Sequence, residues 1–178
     1  MSPVVVKVTD EGTSEPFIAR MYFQIFELRD AAFREEETRL GFDGCYSPVL
    51  QSLSECRQAF KSAMTIIEKH LKDIQEGTVV RRTGDVVHID QSIDLALGQA
   101  VKDFFIKGEM AVQGLTGLSD FIDDLRLGAL FGKEKKFEKE KAKVLASPRG
   151  QRHSWFLDYV ESSRNGWYAK FNNVRNAI

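Results

Sequence analysis

From residue 16 onward, apolar residues recur every three or four positions in long runs. That period is the signature of amphipathic helices, and it predicts an all-α chain. Phe17, Ile18, Met21, Tyr22, Ile25, Leu28, Ala32 and Phe33 set a first helix ending near Arg39. Ser14 would cap it, and Pro16 suits its first turn. Leu40-Gly41-Phe42-Asp43-Gly44 reads as a loop. A second helix then starts at Ser47 as cap and Pro48 as first helical residue, and Gly77 closes it. Val49, Leu53, Cys56, Phe60, Ala63, Ile67, Leu71 and Ile74 form its single seam, as in an antiparallel bundle.

The period changes over residues 78–89. Thr78-Val79-Val80-Arg81-Arg82, a Thr83-Gly84-Asp85 turn and Val86-Val87-His88-Ile89 predict a small β-hairpin insertion. Asp90 or Ser92 caps a third helical region, marked by Ile93, Leu97, Ala100, Val101, Phe104, Ala111, Leu115, Leu118, Ile122 and Leu125. Gly98, Gly108, Gly114 and Gly117 interrupt it, each costing roughly 1 kcal/mol against Ala. They predict a kink, a close helix approach or a break near 114–117, with two segments expected. Residues 133–147 are a Lys-rich charged linker or solvent-facing helix, ended by Ser147-Pro148-Arg149-Gly150. The last helix begins near Arg152–Ser154, and its stripe is Phe156, Val160, Ser163, Trp167, Phe171, Val174 and Ile178. Val4, Val6 and Val8 alternate with Val5, Lys7 and Thr9, which predicts a brief N-terminal strand or arm.

The expected architecture is an up-and-down bundle of about four long helices with the hairpin inserted. At 178 residues it is read as a single domain, 1–178. The net charge is −1, but it is uneven. Residues 133–178 hold 11 Lys/Arg against 5 Asp/Glu, a net of +6, while residues 1–132 carry −7. A basic C-terminal region suits either a solvated lysine face or an RNA backbone. No apolar run reaches the roughly 18 residues that a membrane span needs, and no signal peptide is visible. Cys45 and Cys56 match no metal or redox spacing, which fits a reduced, cytoplasmic setting.

Most chemistries lack their residues. A di-iron bundle needs Glu-x-x-His pairs, and the chain has none. Asp120, Asp123 and Asp124 have no histidine beside them, so no metal and no cofactor is expected. Neither a Gly-x-Ser-x-Gly elbow nor a phosphate-binding glycine loop occurs. His70, His88 and His153 are the three near-neutral acid/bases. His70 lies close to an apolar helix face, and His153 leads into the last helix. Arg82 and His88 stand with five residues between them across the hairpin, the wrong context for a helical site.

One constellation is left. Metal-independent RNA cleavage needs a base for the 2′-hydroxyl and a cation for the phosphorane charge. Phe171-Asn172-Asn173-Val174-Arg175-Asn176-Ala177-Ile178 resembles the late-helix motif of the HEPN superfamily (higher eukaryotes and prokaryotes nucleotide-binding domains). That motif is an Arg, a polar residue such as Asn, and a His four to six residues after the Arg. Arg175 and Asn176 match its opening, with Val174 and Ile178 as flanking apolar positions. The resemblance covers about eight residues, and Arg164-Asn165 repeats the Arg-Asn step on the same helix. It implies an all-α domain of a prokaryotic RNA-targeting or defence protein, acting as a homodimer, with RNA and an antitoxin as partners. The motif histidine falls outside residues 1–178, so this stretch alone is expected to lack the RNase activity. Trp155, Tyr159, Trp167 and Tyr168 are candidate base-stacking residues, or core residues. The competing expectation is a non-enzymatic helical interaction or assembly domain, whose apolar seams continue across a partner.

Overall fold

The computed structural model describes residues 16–77, 81–88, 91–122, 125, 127 and 130–178, with only the backbone at 16–22, 81–83, 86–88 and 91–94. The expected Val4–Val8 strand, the Ser14 and Asp90 caps, and Asp123 and Asp124 lie outside the described residues. The fold is all-α. Its helices are α1 (Pro16–Ala32), α2 (Glu36–Gln75), α3 (Gln91–Leu118), α4 (Glu134–Leu145), α5 (Ser154–Ser163) and α6 (Ala169–Ala177). Between α2 and α3, strands β1 (Arg81–Thr83) and β2 (Val86–His88) pair antiparallel, with Arg82 opposite Val87.

The first boundary differs from the sequence reading. Residues 40–44 are not a loop, and Ser47 does not cap a helix; both lie inside α2, a single helix of 40 residues. The first helix ends at Ala32 and not near Arg39, and the acidic run Glu35-Glu36-Glu37, which the sequence reading placed in that first helix, starts α2. Glu35 is the N-cap residue, and Glu36 and Glu37 occupy the first turn. Carboxylates there meet the positive end of the helix dipole. An internal Pro48 removes one helical hydrogen bond at a cost of about 3 kcal/mol. Tertiary contacts offset that cost. Phe42 stacks on Tyr46 at 5.7 Å and meets Phe33 and Phe121 at 5.6 and 5.5 Å. Asp43 is ion-paired with Arg29 of α1. Val49 and Leu50 are buried, each contributing roughly 1.5–3 kcal/mol. At the other end Gly77 takes φ +71° and donates to the Ile74 carbonyl at 3.1 Å, a left-handed cap.

Helices α2 and α3 form the main antiparallel pair. The expected break near 114–117 is absent, and α3 runs unbroken to Leu118. Its glycines serve close approach. A Cβ at Gly114 would fall 2.6 Å from Val49 Cγ2, and one at Gly108 would fall 2.9 Å from Phe171 Cζ. Beyond α3, a short 3-10 turn (Ser119–Phe121) leads into a second core. It consists of Leu125, Leu127, Leu130, Phe137, Val144, Leu157 and Val160. The Lys-rich segment is therefore a packed helix. Phe137 of α4 is fully buried, and Lys135, Lys139 and Lys143 face solvent. Gly150 is needed where α4 turns toward α5, because a Cβ there would sit 1.9 Å from the Val144 carbonyl oxygen.

The last helix is not continuous. Between α5 and α6 lies a π-turn, Arg164–Tyr168, in which Gly166 departs from helical backbone values (φ −94°, ψ −106°). A π-turn adds one residue to the helix and rotates everything after it by roughly 100°. The inward stripe is consequently rephased. Trp167, Val174 and Ile178, expected inside, are 49, 49 and 52 % exposed. Phe171 faces inward as expected, and Tyr168, Asn172 and Arg175 join it there.

Candidate functional site

The rephased helix brings the sequence-predicted arginine to α3. Arg175 Nη1 lies 2.8 Å from Glu109 Oε2, with the two side chains 32 and 16 % exposed. Its Nη2 donates to the Asn176 side-chain oxygen at 3.3 Å, so the two motif residues touch each other. Tyr168 donates its hydroxyl to both Glu109 oxygens at 3.2 Å. Gln113, one turn along α3, donates to Glu109 Oε1 at 2.8 Å. The carboxylate is therefore shared by an arginine, a tyrosine and an amide.

The spacing explains the convergence. Residues 168, 172 and 175 are i, i+4 and i+7, one face of a helix. Residues 109 and 113 are i and i+4 on the facing helix. Aromatic packing fixes the distance between the two. Phe171 meets Phe105 at 4.9 Å and Phe104 at 6.2 Å. Asn172 is on the same face, and its side-chain oxygen is buried with no hydrogen-bond partner among the described residues. Burial pushes the Tyr168 phenol above its usual pKa, and the Glu109 charge and hydrogen bond add to this; Arg175 and Arg164 pull the other way. Tyr168 is the donor of this contact and the Glu109 carboxylate accepts.

The two Arg-Asn steps have different roles. Arg164 Nη1 and Nη2 donate to the carbonyls of Leu130 and Gly132 at 2.7 and 2.9 Å, and its guanidinium lies 4.5 Å over the Phe137 ring. It ties the 130–132 segment to the π-turn. Arg175 contacts side chains only, and stays partly open to solvent.

The other candidates do not join this cluster. His70 lies near the C-terminal end of α2, its Nδ1 buried without a hydrogen-bond partner among the described residues, and His153 lies just before α5. The His88 side chain is outside the described residues. Cys45 and Cys56 are free thiols; burial raises the Cys56 pKa, and its S–H donates to the Phe104 carbonyl at 3.4 Å. Among the described residues, no three His, Cys, Asp or Glu side chains gather as a metal site, and no helix is long and apolar enough to cross a membrane. Of the four aromatics read as stacking candidates, Tyr168 is buried, while Trp155, Tyr159 and Trp167 are 69, 66 and 49 % exposed.

Glu109 was not singled out from the sequence. The available signal was an acid set in the apolar stretch Phe104–Val112, where a charge needs a partner. No known protein family, curated protein or solved structure matches the chain.

Proposed function

We propose that this chain is a HEPN-like helical domain of a prokaryotic RNA-targeting or defence protein, with Arg175 and Asn176 opening its motif. The supporting observation is the Glu109–Arg175 pair. An arginine that stabilises a phosphorane must be held in position and still reach the phosphate. Glu109 holds Arg175 at 2.8 Å, and a third of the side chain remains open. A guanidinium has five N–H donors, so two of these contacts leave room for a phosphate oxygen. In this reading Tyr168 and Gln113 keep Glu109 in place, and the domain works as a homodimer on RNA, with an antitoxin as a further protein partner.

The test uses a labelled single-stranded RNA and anisotropy across a salt series. Residues 1–178 should bind it without cleaving it. Arg175→Ala should weaken binding and lower the salt slope by about one, the mark of one lost phosphate contact. Equal binding by both proteins, or no binding at low salt, removes the reading. A chain carrying a histidine four to six residues past Arg175 should cleave RNA in EDTA, and Arg175→Ala should abolish that cleavage.

A second reading has its own support. Among the described residues eighteen large apolar side chains are exposed, against fifteen apolar residues that are buried. Leu53, Phe60, Met64, Leu71 and Ile74 continue along α2 at 45, 52, 38, 53 and 48 % exposure. Such a face suits an interaction or assembly domain without catalysis. RNA binding that depends on Arg175 separates the two readings.

A further inference from the structure

A cavity of about 270 Å³ lies between the C-terminal end of α3, the segment after it, and α5. Leu115, Phe131, Phe156, Tyr159, Val160 and Trp167 line it together with Ser119 and Ser163, so the polar groups its lining residues carry are the hydroxyls of Ser119, Ser163 and Tyr159 and the indole N–H of Trp167. We propose that it is a binding site for an uncharged, apolar aromatic ligand of two fused rings.

Size sets the upper bound. An apolar cavity of about 150 Å³ accepts one benzene ring, so 270 Å³ admits a bicycle. Chemistry sets the class. Among the described residues no charged side chain lines the cavity. The Ser119 hydroxyl is already committed, donating to the Thr116 carbonyl at 2.7 Å and accepting from the Leu127 amide at 3.2 Å. A purine would bury four ring nitrogens against at most three further polar groups, the Ser163 and Tyr159 hydroxyls and the Trp167 N–H, which is costly. A hydrocarbon ring loses nothing there, and four aromatic side chains offer faces and edges to it.

The cavity is also built by dedicated contacts. The π-turn places Trp167, which meets Phe131 at 5.8 Å. Arg164 of the same turn holds Leu130 and Gly132 through their carbonyls, fixing the opposite wall. Single π-turns inside helices recur at functional sites. Trp167, Tyr159, Ile122 and Leu115 remain partly exposed, which gives the ligand a way in.

The test uses 1-fluoronaphthalene followed by fluorine NMR. Saturable line broadening is expected with the native chain, together with a change in Trp167 emission in Trp155→Phe, which keeps Trp167 as the sole tryptophan. Leu115→Trp fills the mouth and should weaken binding at least tenfold. Leu95→Trp, at a site 77 % exposed and outside the lining, should leave it unchanged. No saturable broadening, no emission change, or adenosine binding more tightly than 1-fluoronaphthalene would overturn the proposal. If Leu115→Trp fails to fold, the Trp167 emission decides.

Discussion

Arg164 lays its guanidinium 4.5 Å above the ring of Phe137, the most deeply buried side chain of α4, while donating to two carbonyls of the segment before that helix. One side chain thus joins three parts of the C-terminal core. Charge-assisted hydrogen bonds and a cation–π contact make it a stabilising residue, not a binding one. Arg164→Ala should cost about 2–3 kcal/mol in urea unfolding. Arg164→Lys should recover only part of that, because an ammonium cannot span both carbonyls and stack.

Tyr168 gives the fold a dependence on alkaline pH. Its pKa is raised in the folded chain by burial and by Glu109. The folded state therefore holds the phenolic proton more tightly than the unfolded state, whose tyrosine titrates near about 10. The resulting stability is fully present below that value and is lost as pH rises through the folded pKa. Denaturant midpoints should fall across this window, and Tyr168→Phe should flatten the decline. At neutral pH the same variant should cost about 1 kcal/mol, since Glu109 keeps Arg175 and Gln113.

Two glycines of α3 should respond to alanine with opposite signs. At Gly98 a Cβ meets nothing within 4 Å, so Gly98→Ala should stabilise by about 1 kcal/mol through helix propensity alone. At Gly114 the Cβ would meet Val49 Cγ2 at 2.6 Å. Gly114→Ala should destabilise by about 1–3 kcal/mol, as overpacking does, and Val49→Ala should relieve it. Thermal unfolding of the single and double variants checks both signs.

The exposed side of α2 should make the chain associate with itself. Leu71 and Ile74 project beside the α2–α3 pair, half exposed. Sedimentation equilibrium should give a mass above 20.2 kDa at micromolar concentration, with a Tm that rises with concentration. Leu71→Glu with Ile74→Glu should return the chain to a monomer. A monomer in the native protein at all concentrations would argue against association through this face.

The helical period was legible along α1, α2, α3 and α5, because three- and four-residue spacing marks a continuous apolar face; it did not report which of those residues are covered, and Leu53, Phe60, Leu71 and Ile74 of the α2 seam are exposed. Boundaries were legible where the signal was local. Gly77, with its positive φ, is one such case. They were misread where tertiary contacts overrode propensity. Gly41, Gly44 and Pro48 argue for a loop, yet the Phe33, Phe42, Tyr46 and Phe121 cluster keeps the helix going. The run Glu35-Glu36-Glu37 was ambiguous, because the same acids suit a solvated end or a dipole-matched beginning. At the candidate site, Arg175 and Asn176 were singled out from their spacing in the sequence. Glu109 and Tyr168 were not, because their pairing depends on which face of the last helix turns inward. No spacing rule contains the extra residue of the π-turn.

That extra residue, absorbed in the turn, decides which face α6 shows to α3. Deleting Asn165 or Gly166 would turn the segment into a regular helix. Tyr168 and Arg175 would keep their inward places, because the deletion removes the one residue that the turn absorbs, and Val174 and Ile178 would stay outward. Straightening the turn at full length, by contrast, would rotate α6 by about one residue and exchange a charged contact surface for an apolar one.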